Sequence, residues 1–171
     1  MGKIDKNELI LILIIIFLGI FIFLNLFKND EVTFIDGYDY LYEKAVDHLL
    51  KNDNNIDKSK DNYKMFIAYK GFGIAEDNKN IYAYMWVVSE AYYTEDNKLI
   101  RGSSNSMPYK FIFKKQNKRL VRYEITEEGN QYSISIKNMF PKSIQDEIIN
   151  YECDLSLHDE IDYYYKHILN K

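Results

Sequence analysis

Three histidines and one cysteine are the side chains of this sequence best suited to nucleophilic or general-base chemistry. They are His48, His158, His167 and Cys153. A nucleophilic site needs a serine or cysteine with a base and an orienting group, and none of the four stands in a recognisable local motif. No histidine is followed by the glutamate of an H-E-x-x-H zinc motif. The residues therefore predict a non-enzymatic protein with no cofactor and no metal.

A calcium loop is the nearest approach to a metal motif. Acids, amides and a serine alternate from Asp53 to Asp61 as calcium ligands do. Lys58 stands where the loop needs glycine, and Lys64 stands where it needs glutamate. We expect a solvated loop there. Asp159 and Glu160 begin a predicted helix, where acids favour the helix dipole, so capping explains them better than metal binding.

A long apolar run near the N-terminus decides where the rest of the chain is placed. Leu9 to Phe27 is 19 residues without a charge, and a helix of that length spans roughly 28 Å, close to a bilayer core. A cleaved signal peptide is the rival interpretation, but its apolar region is shorter and ends in small residues. We expect an uncleaved single-pass membrane anchor in contact with the lipid bilayer.

Charges beside this run predict its orientation. Lys3 and Lys6 precede it and Lys28 alone follows it, which favours a cytoplasmic N-terminus and an extracytoplasmic C-terminal domain. The expected organisation is a cytoplasmic tail at 1–8, the span at 9–27, a linker at 28–37 and one domain at 38–171. A net charge of −4 argues against nucleic-acid binding, and a single cysteine excludes an internal disulfide.

Hydrophobic periodicity in the domain predicts strands between helices. Tyr38 to Lys51 has the spacing of an amphipathic helix. Strands are then expected over four segments, namely Tyr63 to Ile74, Ile81 to Tyr93, Tyr109 to Lys115 and Arg119 to Ile125. Both faces of Ile81 to Tyr93 are apolar, which indicates a central strand. Gly71 and Gly73 suggest a bulge or a close backbone approach, and Arg101 to Ser106 is expected to be a loop of small residues.

Helical patterns return after the strands. Ser143 to Tyr151 follows Pro141 as a helix start, Leu157 to Leu169 repeats apolar residues at helical spacing, and Tyr132 to Phe140 is a weaker candidate. The order of helix, four strands and helices predicts an α+β domain. We expect a four-stranded or slightly larger antiparallel sheet with helices on one face.

Three segments resemble a small extracytoplasmic domain of low-GC Gram-positive bacteria. They are IYAYMWVVSEAYYTEDNKLIRGSS, SMPYKFIFKK and GNQYSISIKNMFPKSI, and the similarity covers about Tyr63 to Ile149. The most specific piece is Lys137 to Lys142. Such domains occur behind a single membrane anchor, or at the C-terminus of membrane metallopeptidases of the antirepressor, β-lactam-sensor type. The resemblance implies an anchored accessory or sensor domain and supplies no catalytic residue.

An aromatic face on the central strand is the candidate ligand site. Tyr82, Tyr84 and Trp86 alternate with Ile81, Ala83, Met85 and Val87 and so share one face. We expect Tyr109, Phe111 and Phe113 to lie beside them, forming a concave aromatic pocket. The alternative is that loops or the C-terminal helix bury this face as ordinary core.

Three functions agree with these features. The first is a non-enzymatic, anchored domain that binds a partner protein or a cell-envelope ligand, as an accessory to a sensor system. The second is a purely structural interaction domain that assembles through a sheet edge or a helix face. The third is an unrecognised enzyme in the sheet pocket, with Glu90, Arg101 or His158 as polar groups. An open polar pocket would favour the third, and a closed core the second.

Overall fold

A computed structural model describes residues 15–16, 32–52 and 60–169. The chain divides into two units, Met1–Glu31 and Val32–Lys171. In the first unit Ile15 and Ile16 are described, and both are helical. Nearly all of the predicted membrane span, Leu9 to Phe27, therefore lies outside the described residues. Within the described residues no helix is long and apolar enough to cross a membrane.

The second unit is α+β, as predicted. Its described residues, 32–52 and 60–169, form five strands and four α-helices. The strands are β1 (Thr33–Phe34), β2 (Asp61–Glu76), β3 (Asn80–Glu95), β4 (Lys98–Lys114) and β5 (Leu120–Ile125). The helices are α1 (Tyr40–Lys51), α2 (Tyr132–Met139), α3 (Lys142–Ile149) and α4 (His158–Leu169). β1 lies within the stretch predicted as a linker, 28–37.

Short hairpins connect the four long strands into one sheet. The strand order is β1-β2-β3-β4-β5 and every neighbouring pair is antiparallel. Asp96 and Asn97 form the β3–β4 turn with φ of 48° and 57°, and a two-residue turn with both φ values positive matches the twist of a hairpin. β3 is the middle strand, which confirms its prediction as central.

Helices cover both faces of the sheet, so the expectation of helices on one face is wrong. The face formed by Ile81, Ala83, Met85 and Val87 packs against Leu41, Tyr42 and Ala45 of α1 and is named the α1 face. The opposite face, named the C-terminal face, packs against α2, α3 and α4 through Ile136, Ile144, Ile148, Ile161 and Tyr165. Because both faces of β3 are apolar, each needs its own cover.

Gly71 and Gly73 mark a bulge in β2, as predicted. The pairing of β2 with β3 shifts by one residue between them, from Gly71 opposite Met85 to Gly73 opposite Tyr84. A Cβ on Gly71 would lie 2.6 Å from the ring of Tyr42, and one on Gly73 would lie 2.6 Å from the ring of Phe34. The missing side chains therefore let α1 and β1 approach the sheet backbone.

The segment from Arg101 to Ser106 is strand, not loop, and this prediction is wrong. It belongs to β4 and pairs with β3 from Tyr92 opposite Arg101 to Val88 opposite Ser106. Gly102 is the extra residue of a bulge between the pairs Ala91–Ser103 and Tyr92–Arg101. Small polar residues with no apolar alternation concealed the strand, because its ladder depends on the neighbouring β3 rather than on its own propensity.

Candidate functional site

The predicted aromatic residues are divided between the two faces of the sheet. Tyr82, Tyr84 and Trp86 share the C-terminal face. Tyr109 and Phe111 lie on the α1 face, since Tyr109 is opposite Met85 and Phe111 is opposite Ala83. Residues directly opposite each other in an antiparallel pair point to the same side. The expectation that Tyr109, Phe111 and Phe113 lie beside Tyr82, Tyr84 and Trp86 is therefore wrong.

Tyr84 is a core residue. Its side chain is 2 % exposed, and its ring lies 5.5 Å from the ring of Phe140 and 6.3 Å from that of Phe34. Burial raises the pKa of Tyr84, with smaller contributions from Tyr82 and nearby acids. At Tyr84 the aromatic face is therefore ordinary core rather than an open ligand site, because the helices that follow the sheet bury it.

Tyr82 and Trp86 are half-buried and held by hydrogen bonds. The Tyr82 hydroxyl donates to Asp77 Oδ2 at 2.5 Å. Burial opposes ionisation of Asp77, but bonds from Tyr82 and from the N–H groups of Lys79 and Asn80 outweigh it, so the pKa of Asp77 is lowered. Trp86 Nε1 donates to Ser106 Oγ at 2.9 Å, and its ring lies 5.2 Å from that of Tyr151. These contacts leave the C-terminal face closed around the strand centre.

A groove of about 410 Å³ opens on the α1 face, at the end of the sheet beyond the C-terminus of α1. Its floor crosses the sheet along two rows of paired residues, Ile67–Ser89–Asn105 and Met65–Ala91–Ser103. The groove is completed by Leu49 and Asn52 of α1, by Ser104 and Tyr109 of β4, and by Tyr123 and Ile125 of β5. A volume in this range suits a small ligand or a short peptide segment.

The lining of this groove is apolar and neutral polar. Among the described residues that line it there is no lysine, arginine, aspartate or glutamate. Asn105 Nδ2 donates to the Tyr109 hydroxyl at 2.8 Å, and burial, with a smaller contribution from Tyr123, raises the pKa of Tyr109. The hydroxyl is therefore neutral at physiological pH. Such a lining fits uncharged donors and acceptors such as peptide amides better than a charged small molecule.

A free sheet edge borders the groove. β5 pairs only with Tyr109 to Phe113 of β4, so in the described part of the chain Lys98 to Met107 has no strand on its outer side. The Pro108 carbonyl accepts from the Thr126 N–H at 3.4 Å on that side, and the Lys114 N–H donates to the Arg119 carbonyl there at 2.9 Å. Because strand residues alternate in direction, the backbone N–H groups of Ser104 and Ser106 point to the same open edge.

The side chains along this edge are accessible to solvent. Ser103, Ser104 and Ser106 are exposed, and Asn105 is half-buried. Long exposed edges are sites for pairing with another chain, and proteins usually protect them with charges, prolines or bulges. Here the Gly102 bulge and Pro108 bound the part of the open edge from Ser103 to Met107, whose residues are all uncharged.

A second, smaller cavity brings together the three polar residues of the enzyme hypothesis. Glu90, Arg101 and His158 line a space of about 270 Å³ beside α4. Arg101 Nη2 lies 3.2 Å from Glu90 Oε1, and the Tyr92 hydroxyl donates to Glu90 Oε2 at 2.7 Å. His158 Nε2 is 3.3 Å from Asp162 on its own helix. Both oxygens of Glu90 are thus engaged, as in a structural ion pair, and in the described chain no serine or cysteine bonds to the His158 ring.

Metal and thiol chemistry receive no support from the described residues. No group of three or more histidine, cysteine or acidic side chains in 15–16, 32–52 and 60–169 could hold a metal ion. Most of the calcium-like stretch, Asp53 to Asp61, lies outside those residues. Cys153 is exposed and its Sγ lies 3.8 Å from Ser106 Oγ. No hydrogen bond among the described residues links this pair to a base or an orienting group of the kind that a nucleophile needs.

Assembly through a sheet edge was among the hypotheses, but neither the groove nor the position of the open edge was predicted from the sequence. The groove depends on the register of four strands and on where α1 ends, and neither is encoded in a local motif. A sequence signal for the edge does exist, since the run of small polar residues from Gly102 to Ser106 precedes the segment predicted as a strand, Tyr109 to Lys115. Comparisons with protein-family models, curated proteins and solved structures found no match. The resemblance to an extracytoplasmic domain of Gram-positive bacteria therefore stays a prediction.

Proposed function

We propose that this protein is a non-enzymatic binding domain that recognises a partner protein by strand addition at the outer edge of β4. An extended segment of the partner would pair with the backbone of Ser104 and Ser106. Its inward side chains would enter the neutral groove. The observation that carries the proposal is the juxtaposition of an unpaired edge with a groove of about 410 Å³, since strand addition draws affinity from main-chain bonds and specificity from adjacent pockets.

Membrane attachment is part of the same proposal. The run from Leu9 to Phe27 would anchor the chain in a cell membrane with the domain on the extracytoplasmic side. A partner on that side would be a membrane or envelope protein. If that partner belongs to a sensor system, this protein would be an accessory of the system.

Proline substitution at Ser104 tests the edge directly. Ser104→Pro removes an outward N–H that takes no part in the pairing with β3, and proline is tolerated at sheet edges. Ser104→Ala is the matched control, because it keeps the N–H and removes only the hydroxyl. Ser103→Phe fills the groove while leaving the edge intact. Peptides selected from a random library against the full chain in detergent micelles provide the ligands.

We expect Ser104→Pro to weaken peptide binding by about tenfold or more, as the loss of one or two main-chain bonds predicts. Ser104→Ala should bind nearly as the unchanged chain does. Hydrogen exchange at Ser104 and Ser106 should slow when peptide is bound. Equal binding by Ser104→Pro and Ser104→Ala, or selected peptides that protect other amides only, would refute strand addition at this edge.

The structural-assembly alternative uses the same edge and is distinguished by stoichiometry. If the edge pairs with a second copy of the chain, sedimentation of the unchanged protein would show a dimer that Ser104→Pro dissociates, and peptides would compete with dimer formation. A monomer that binds peptide would favour the partner-protein function.

A further inference from the structure

A cleft of about 400 Å³ lies between α1 and the turn that joins β4 to β5. Lys44 and Lys51 line it from α1, and Lys118 and Arg119 line it from the turn. Among the described residues of the lining, Asp47 is the one carboxylate. His48 of the cleft and Tyr123 of the groove have rings 6.1 Å apart, so the two depressions adjoin, but their lining charges differ.

Most of the positive charge in this cleft has no carboxylate partner among the described residues. Asp47 lies 3.4 Å from Lys51 Nζ and so offsets one cation. Lys44 Nζ lies 5.3 Å from the centre of the Tyr40 ring, and Lys118 Nζ donates to the Lys115 carbonyl at 2.6 Å. The described chain places no acidic side chain in contact with the guanidinium of Arg119. The described lining therefore carries three more positive charges than negative ones.

This concentration of charge is local rather than a property of the whole surface. The protein carries a net charge of −4, so a random patch would be expected to be neutral or acidic. Bringing like charges together from two elements costs free energy. Positive charges that surround one concave space attract anions into it.

We propose that the cleft binds a multiply charged phosphate group. A single carboxylate would leave two of the three charges unmatched, whereas a phosphomonoester or a polyphosphate carries two or more negative charges. Arg119 offers a planar fork of donors to phosphate oxygens, and the lysines add point charges. The ligand class is separate from the peptide proposed for the β4 edge. Asn52 borders both depressions, but the charged residues of the cleft do not line the groove.

Lysine acetylation of the full chain in neutral detergent micelles tests this site. Sodium tripolyphosphate is the soluble probe, and micelles doped with phosphatidic acid, compared with phosphatidylcholine, present the same chemistry as a lipid headgroup. Bound phosphate should slow acetylation of Lys44 and Lys118 by about fivefold or more at saturation, the loss expected when most sites are occupied. Lys137 and Lys142, exposed on α2 and α3, should react as before.

Charge reversal gives the complementary measurement. Lys44→Glu combined with Arg119→Glu should weaken tripolyphosphate binding in calorimetry by about tenfold or more. Lys137→Glu with Lys142→Glu makes the same change in net charge on the other side of the sheet and should keep the affinity. Protection by tripolyphosphate identifies a soluble ligand, and protection by phosphatidic acid alone identifies a headgroup. Absence of protection by both probes, or equal weakening in the two double variants, would overturn the proposal.

Discussion

The backbone N–H of Gly73 donates a hydrogen bond to the Tyr42 hydroxyl at 3.0 Å. The same ring covers Gly71, where a Cβ would lie 2.6 Å from it. The Tyr42 side chain thus fills the space beside Gly71 and accepts a hydrogen bond from the Gly73 N–H at the β2 bulge. Tyr42 is buried and belongs to the core of the α1 face, so this relationship fixes where α1 sits on the sheet and therefore where the neighbouring groove begins.

Gly71→Ala should destabilise the domain. The added methyl group would overlap the Tyr42 ring, and overpacking of a fitted contact costs typically about 1–3 kcal/mol. Gly102→Ala is the matched control, because a Cβ there would meet the Tyr93 ring at an ordinary 3.5 Å. Urea unfolding should show a lower midpoint for Gly71→Ala and an unchanged or slightly higher one for Gly102→Ala. Equal midpoints would mean that the Tyr42 contact does not position α1.

Alkaline pH should destabilise the fold through Tyr42. Burial, the largest cause, raises the pKa of Tyr42 from 10.0 to about 12. The folded state therefore keeps a proton that the unfolded state loses, so this stabilisation is complete below pH 10 and is lost as pH rises toward 12. A shift of this size corresponds to roughly 3 kcal/mol.

Tyr42→Phe isolates this contribution. The variant should be less stable at neutral pH by about 1–3 kcal/mol, because the Gly73 N–H loses its acceptor. Its stability should then fall less steeply with alkaline pH than that of the unchanged chain, when both are measured by urea unfolding from pH 8 to 11. Parallel pH profiles would show that Tyr42 ionisation does not drive the alkaline loss.

Tyr165 should be the main polar anchor of α4. Its side chain is 1 % exposed, and its hydroxyl lies 2.9 Å from the carbonyl oxygens of both Asn62 and Tyr92. Tyr165→Phe leaves these carbonyls without that donor, at an expected cost of about 1–2 kcal/mol. Tyr163→Phe, on a side chain that is 71 % exposed, should change the unfolding free energy by less than about 0.5 kcal/mol. Similar losses in both variants would contradict the anchoring role.

Local patterns predicted the elements of this domain well and their relative placement poorly. The alternation in β3 separates Tyr84 from Met85 in the structure as it does in the sequence. Counting outward from the Asp96–Asn97 turn, as in a regular hairpin without a bulge, would place Tyr109 opposite Tyr84 and Phe111 opposite Tyr82. These four aromatic residues would then share one face of the sheet.

The bulge at Gly102 reverses that result. One extra residue in β4 moves Tyr109 opposite Met85 and Phe111 opposite Ala83, and a shift of one residue exchanges the two faces of a strand. No local pattern separates a glycine in a bulge from a glycine in a loop. The groove and the charged cleft escaped prediction for a related reason, since each joins α1 to residues of β4 and β5 that lie more than 50 positions further along the chain.

Thr126 should be a position where removing a hydroxyl does not weaken the fold. Its side chain is 3 % exposed, and within the described residues its Oγ1 is buried without a hydrogen-bond partner. Valine keeps the shape and removes the unsatisfied group, so Thr126→Val should raise the unfolding free energy by about 1 kcal/mol. Thr126→Ala is the control, because it also removes a buried methyl group and should lower stability. The Thr126 N–H bond to Pro108 is retained in both variants. Thermal unfolding that finds Thr126→Val less stable than the unchanged chain would mean that the hydroxyl has a partner after all, and that the end of β5 is held by it.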